Sequence, residues 1–321
     1  MQTPSLRAVV ASLVLVIVVL FAWGIASAVS EATPHAAPPS SSTNRAPSDF
    51  GEIQQGLAQF LHPQWAAPSA AAMATTDVYS YNWAGYAAEP SAGGSTYSVQ
   101  GNWYVPTVTC GESGATKVAY TVQWIGIDGY STTSVEQIGS AEYCSGHGAV
   151  PEYFTWWEFA GYDAIQYAYA TTPGAYISAS VIYDPAEYVA GVQGVWTLNL
   201  YDFDNGVAFS VTASDHALGF SPSDLGAECI SEAPFGDSQT SSGFYLLAHF
   251  TPTTFYGCAA AIGTHAGGIG NLGTGATLYK IEMCNDPACN KILQSEGGLL
   301  VDPGAPQYGK SEFKVTWKGY S

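Results

Sequence analysis

The chain has 321 residues; 47% are hydrophobic and only 11% charged, under half the roughly 25% charged share of ordinary globular proteins. Twenty-six acidic residues against eight basic ones give a net charge of −18 at pH 7. Nucleic acid and anionic membranes both recruit cationic surfaces, so this charge balance excludes them as partners of the folded domain.

The N-terminus carries Arg7 and then an apolar run from Ala8 to about Ala28, ending in Ala26-Ser27-Ala28. Small residues at that spacing resemble a signal-peptidase site, so residues 1–28 are expected to export the chain. The run is also long enough to span a bilayer, and an uncleaved anchor holding the protein outward at a membrane is the alternative. Residues 29–76 read as a propeptide or linker. They are rich in Ala, Pro and Ser, with one short amphipathic helix expected between Phe50 and Leu61.

From residue 77 to 321 the character changes to short runs of aromatic and β-branched residues broken by turn residues. Tyr97–Val105 is one such run. Ala175–Tyr183 is a second, and its Ser178 and Ser180 recur with the period of a half-buried strand. Val195–Phe203 alternates, Asp204-Asn205-Gly206 supplies a turn, and Val207–Val211 resumes, which predicts a hairpin. Phe313–Trp317 predicts a last strand. No long helix is expected after Val78. The expected fold is all-β: a two-sheet antiparallel sandwich of the concanavalin-like or jelly-roll type. Six Cys in an exported chain read as disulfides, with Cys284 and Cys289 the one obvious short loop.

The composition also suggests a working pH. No Arg occurs after Asp77, and only six Lys remain. Near pH 3 ordinary carboxylates, with unperturbed pKa values of about 4, are at least half neutral. A protein rich in bases would then repel itself, whereas this one stays nearly uncharged. Catalysis in that range needs groups that work there. Histidines such as His147, His216, His249 and His265 are protonated and make poor bases. A carboxylate can act as a base near its own pKa, and a neutral amide can polarise a carbonyl at any pH.

The familiar hydrolase motifs are missing. There is no Gly-x-Ser-x-Gly elbow and no His-Glu-x-x-His, and the Gly267–Gly273 stretch lacks the Lys of a phosphate loop. Neither a metal nor another cofactor is expected. Two segments stand out instead: Trp124-Ile125-Gly126-Ile127-Asp128-Gly129, followed by Gln137-Ile138-Gly139, and Ala227-Glu228-Cys229-Ile230-Ser231-Glu232. With Asn82-Trp83-Ala84-Gly85, Gly101-Asn102-Trp103-Tyr104-Val105-Pro106 and Trp156-Trp157-Glu158-Phe159, they resemble in order the motifs of the glutamic peptidases, the eqolisin family. The resemblance runs from about Tyr81 to the C-terminus, more loosely after Pro234.

The resemblance implies two seven-stranded antiparallel sheets and a catalytic pair, Gln137 and Glu228. It places Trp124 and Asp128 beside the site with Glu158 supporting it, and Trp157 is a further candidate for substrate contact. The implied reaction is water attack on a peptide bond, with Glu228 as general base and the Gln137 amide on the developing oxyanion. The expected protein is thus a secreted, monomeric acid endopeptidase acting on protein or peptide substrates. One departure is Cys229, where the family pattern has Trp; it either removes a wall of the cleft or pairs in a disulfide. Two other readings of the residues remain. One is a β-sandwich glycosidase using two of Glu136, Glu158 and Glu228. The other is a non-catalytic carbohydrate-binding protein using exposed aromatic residues.

Overall fold

The computed structural model describes residues 75–91, 93–111, 118–132, 134–159, 166–189, 192–218, 222–234, 245–284, 298–307 and 309–319. The signal or anchor segment, the helix expected at Phe50–Leu61 and Cys289 lie outside the described residues. The first strand starts at Thr75, so Thr75 and Thr76 belong to the sheet rather than to the expected linker.

The strands run in order β1 (Thr75–Ser80), β2 (Trp83–Pro90), β3 (Thr96–Tyr104), a two-residue β4 (Val108–Thr109), β5 (Ala119–Ile127) and β6 (Glu136–Cys144). Next come β7 (Glu152–Phe159), β8 (Gln166–Ala170), β9 (Tyr176–Val189), β10 (Val192–Asp202) and β11 (Val207–Ser214), followed by a single helical turn, α1 (Asp215–Leu218). The chain continues through β12 (Ala227–Glu232), the short β13 (Leu246–Leu247) and β14 (His249–Phe250), β15 (Thr253–Ile262) and β16 (His265–Gly268). It ends with β17 (Ala276–Cys284), β18 (Leu299–Pro303) and β19 (Phe313–Trp317). The hairpin expected around Asp204-Asn205-Gly206 is the β10–β11 pair, and Phe313–Trp317 is the last strand.

Hydrogen bonding sorts these strands into two layers. The first runs β1–β17–β2–β12–β5–β6–β7–β8. The second runs β11–β10–β9–β3–β15, with β16 and β19 sharing the far side of β15. Strand β18 pairs with the end of β17 and with β19, so the layers join at one corner. Pairing is antiparallel except for β1 with β17 and β13 with β5.

Side-chain alternation builds the core. In the second layer, Trp196, Leu198 and Leu200 point inward from β10, and Ile177, Ala179 and Val181 from β9. They meet Tyr86, Ile125, Ile127, Ile138, Trp157 and Phe159 from the first layer in one continuous cluster. A second cluster lies on the opposite, outer face of the first layer: Ala87, Val122, Trp124, Ala141, Trp156, Ile230 and Ile281, with Val78, Trp83, Tyr130 and Tyr279 against it. The central strands β5 and β6 are therefore buried on both faces. This explains why Val122–Ile127 shows no clean polar–apolar alternation.

Two disulfides join described residues. Cys110–Cys144 closes a sequence separation of 34, and Cys229–Cys258 one of 29. The second crosses the core from β12 to β15, linking the two layers directly behind Glu228. Cys284 is also disulfide-bonded, and its expected partner Cys289 lies outside the described residues. A cross-link closing a loop of that size restricts the unfolded chain and is worth about 3 kcal/mol. Replacing Cys229 and Cys258 together by Ala should lower the unfolding free energy by roughly 2–4 kcal/mol, measured by chemical denaturation in acid.

Candidate active site

The outer face of the first layer carries a row of residues in register across four neighbouring strands. Glu228 on β12 is paired with Gly126 on β5. Gly126 is paired with Gln137 on β6, and Gln137 with Glu158 on β7. Each step is one strand spacing of about 4.8 Å, so the backbones of Glu228 and Gln137 lie about 10 Å apart with a glycine between them. That glycine keeps the gap open. A Cβ at position 126 would stand 3.0 Å from Trp124 Cζ3 and 3.2 Å from Gln137 Cβ.

The two polar ends of the gap are held differently. Gln137 Nε2 donates to Glu158 Oε2 at 2.6 Å, which fixes the amide and leaves its second N–H uncommitted to that bond. Glu228 is fully buried, its carboxyl folds back over Gly226, and among the described residues no side chain donates to either of its oxygens. Burial first, and then the nearby Asp128 charge, push the Glu228 pKa well above the carboxylate range, while the Tyr130 backbone N–H offsets part of the rise. Burial also raises Glu158, with the bond from Gln137 acting the other way.

Asp128, near Glu228, organises the segment that leads to it. Its backbone is left-handed at φ 69°, a region Asp tolerates better than most residues, and Gly129 follows at φ 113°. The buried Asp128 carboxylate accepts from the backbone N–H groups of Ser223, Asp224 and Leu225 at 2.7–3.0 Å and from Ser134 Oγ at 3.1 Å. It thereby ties the β5–β6 turn to the segment that delivers Glu228.

Trp124 shares the outer face, with its ring edge against Gly126. Trp157 does not: it packs in the inter-layer core and makes an edge contact with Phe159 at 5.6 Å. Its neighbour Trp156 is the tryptophan on the outer face. Alternation explains the exchange, because Trp156 has the same parity along β7 as Glu158, and Trp157 the opposite one. Cys229 likewise points into the core, so its substitution for Trp takes nothing from the outer face.

Two features went beyond the sequence reading. Glu232, four residues after Glu228 and on the same face, accepts from Trp124 Nε1 at 2.8 Å and from Asn82 Nδ2 at 3.0 Å. Burial raises it to about 7 against the pull of these bonds. Behind the site, on the core side, Glu142 is buried against Gln123 and Ser140. With its amide nitrogen toward Glu142, Gln123 donates at 2.8 and 3.0 Å, and Ser140 Oγ donates at 3.2 Å. Burial nevertheless holds Glu142 well above the carboxylate range.

The paired-carboxylate reading does not fit this arrangement. Glu136 faces the core side of β6, opposite to Gln137, and is fully buried with no hydrogen-bond partner for either oxygen. The Glu158 carboxyl is taken up by the Gln137 amide, which stands between it and Glu228 in the row.

The model of the peptidase A4 family matches residues 81–299. The fold is shared with scytalido-glutamic peptidase, solved with a peptide-based transition-state analogue: 19% identity, TM-score 0.54, over 74% of this chain and 98% of that one. It is shared too with SCP-B, a member of the eqolisin family of peptidases solved with the tripeptide Ala-Ile-His, at 20% identity and TM-score 0.51 over the same shares. A search of the curated proteins found no match. The family match spans the row from Gly126 through Gln137 and Glu158 to Glu228, and with it the chain belongs to the peptidase A4 family, the glutamic peptidases or eqolisins, and is a peptide hydrolase.

Proposed function

We propose that the protein is a secreted acid endopeptidase in which Gln137 and Glu228 are the catalytic pair. The observation that carries this reading is their placement on one face, facing each other across Gly126. With no side chain at Gly126, the space between them is where a peptide carbonyl and a water would be placed. Burial keeps the proton on Glu228. Water reaching the carboxyl relieves that burial, the proton passes to solvent, and the carboxylate forms. It takes a proton from water as the water oxygen attacks the carbonyl carbon. The negative charge that develops on the carbonyl oxygen is met by the Gln137 N–H not given to Glu158. Glu228 then passes the proton to the amide nitrogen as the C–N bond breaks. Secretion is supported by the disulfides, which persist in oxidising compartments.

The test is casein cleavage at about pH 3. Gln137→Ala removes the oxyanion donor and should lower kcat by about 100- to 1000-fold. Glu228→Gln keeps shape but cannot exchange protons, and should leave no turnover above background. Thermal unfolding of both variants reports whether the fold is intact. Full cleavage by Glu228→Gln would sink the mechanism.

Acid operation also predicts how stability varies with pH. Burial lifts Glu136 to about 9, with Asp128, Asp224, Asp215 and Glu158 adding repulsion. It lifts Asp224 to about 7, with Asp128 and Asp215 contributing, and Glu232 to about 7. Each folded-state pKa is raised, so the folded protein holds protons that the unfolded chain releases. The stabilisation is complete below the unfolded carboxylate pKa of about 4 and is lost as pH rises through the folded values. Inside that window each such group costs about 1.4 kcal/mol per pH unit. The melting temperature should therefore fall steadily between about pH 4.5 and 7.5. Glu136→Gln, which has no proton to lose, should flatten that fall and stabilise the protein most above pH 6, measured by circular dichroism melts across the range.

A further inference from the structure

The reaction proposed above needs a gap of fixed shape between Glu228 and Gln137. The two residues do not supply that shape. Trp124 does, because its indole edge lies in space left by Gly126, while Gly139 gives room to its Cβ. A Cβ on Gly139, directly across on β6, would stand 2.8 Å from Trp124 Cβ. A Cβ on Gly126 would stand 3.0 Å from Trp124 Cζ3. The benzene edge of the indole therefore reaches the glycine at the centre of the gap, and the ring forms part of its floor.

Two glycines give the side chain room but do not fix it. The fixing contact is at the other edge, where Nε1 donates to Glu232 Oε2 at 2.8 Å. The second Glu232 oxygen accepts from Asn82 Nδ2 at 3.0 Å, so the carboxyl is gripped from both sides. Asn82 is itself tied down. Its carbonyl accepts from Ala233 N at 2.9 Å, and its Oδ1 accepts from Ser80 Oγ at 3.1 Å. Ser80 Oγ in turn accepts from Trp83 N at 3.1 Å. Trp83 packs edge-to-face on Trp124, centroids 5.0 Å apart at 77°, and closes the remaining side.

We propose that Glu232 is a positioning residue for peptide hydrolysis: gripped by Asn82, it fixes the indole of Trp124 and so sets the floor against which the scissile peptide rests between Glu228 and Gln137. The inference rests on the catalytic assignment of that pair. Without the bond to Nε1 the indole is free to rotate about its side-chain torsions. Its benzene edge, which already rests against Gly126, then shifts relative to the water and the carbonyl. Misplacement of about 1 Å at a reacting centre is enough to cost about 100-fold.

The experiment is a double-mutant cycle on the full chain, read by kinetics and by near-ultraviolet circular dichroism of the tryptophans. Glu232→Ala should lower kcat/KM about 10- to 100-fold, chiefly in kcat, and weaken the dichroism of the Trp83–Trp124 pair. Glu232→Gln, which keeps an oxygen for Nε1, should stay within about threefold of wild type and keep the signal. Trp124→Phe removes the donor, so Glu232→Ala added to it should cost less than about twofold more. Should Glu232→Ala not fold, Asn82→Ala loosens the same grip and should give a smaller loss of the same kind. Equal losses from Glu232→Ala with and without the Trp124 indole would overturn the proposal, as would unchanged kcat and dichroism in Glu232→Ala. The dichroism is measured without substrate. A failed catalytic assignment, with Gln137→Ala and Glu228→Gln still active, is thus told apart from a failed brace.

Discussion

Side chains alternate faces along a strand, and the four strands carrying Glu228, Gly126, Gln137 and Glu158 must therefore keep one common register. A slip of one residue on β6 would turn Gln137 into the core and bring Glu136 to the outer face. A slip on β5 would put Ile125 or Ile127 where Gly126 leaves the gap. The register is held from both sides of the sheet. On the core side, Ile125, Ile127 and Ile138 fit the inter-layer cluster. On the outer side, Trp124 and Trp156 fit the second cluster. Burial on both faces leaves no neutral direction in which a strand can slide. At its C-terminal end β5 runs into Asp128, whose carboxylate clamps the incoming segment of β12. The row from Glu228 to Glu158 is thus a consequence of packing more than of any bond between its members.

The shortage of basic residues and the abundance of buried acids are two aspects of one solution. A buried carboxylate normally needs a cation or several hydrogen bonds to remain ionised. Here, among the described residues, Glu136 has no hydrogen-bond partner for its side-chain oxygens, and Glu228 has no side-chain donor. At neutral pH that would be a severe liability. In acid the same groups are neutral carboxylic acids, and burying a neutral polar group costs far less than burying a charge. A cation placed nearby would hold them ionised and would itself stay charged in acid, adding to the repulsion. The composition therefore suits these residues, because a carboxyl can be kept buried without a cation only where protonation removes the electrostatic penalty.

Much of this was legible in the sequence because it is periodic or local. The β9, β10 and β19 strands announce themselves by alternation, and the β10–β11 hairpin by Asp204-Asn205-Gly206. Gln137 and Glu228 came from ordered motifs, and their shared face required the strand order, which no local pattern supplies. Trp157 was misplaced although the signal was present: once Glu158 is set on the active face, parity alone sends Trp157 to the core and Trp156 outward. Glu232 shares parity with Glu228 and sits inside a motif already noticed. Its partner Asn82 lies 150 residues away in sequence, so the contact becomes visible only when β2 and β12 pair. The Cys229–Cys258 bridge was hidden for the same reason, since six cysteines admit fifteen pairings.

The cysteine at 229 shows how a departure from the family pattern can leave the chemistry untouched. Glu228 and Cys229 are neighbours in sequence but point to opposite faces of β12, one to the gap and one to the core. Replacing Trp by Cys at 229 therefore exchanges a large core side chain for a small one without altering the row that holds Glu228. The Cys258 bond ties β12 to β15 at this position. The glycine facing it, Gly101, places its would-be Cβ 3.8 Å from Cys229 Sγ and 3.1 Å from Ile125 Cγ2, so there is little slack left between the layers. A covalent link directly behind Glu228 also resists motion of that strand when the outer face opens to substrate. Rigidity on the core side and water entry on the outer side are thereby assigned to opposite faces of the same six-residue strand.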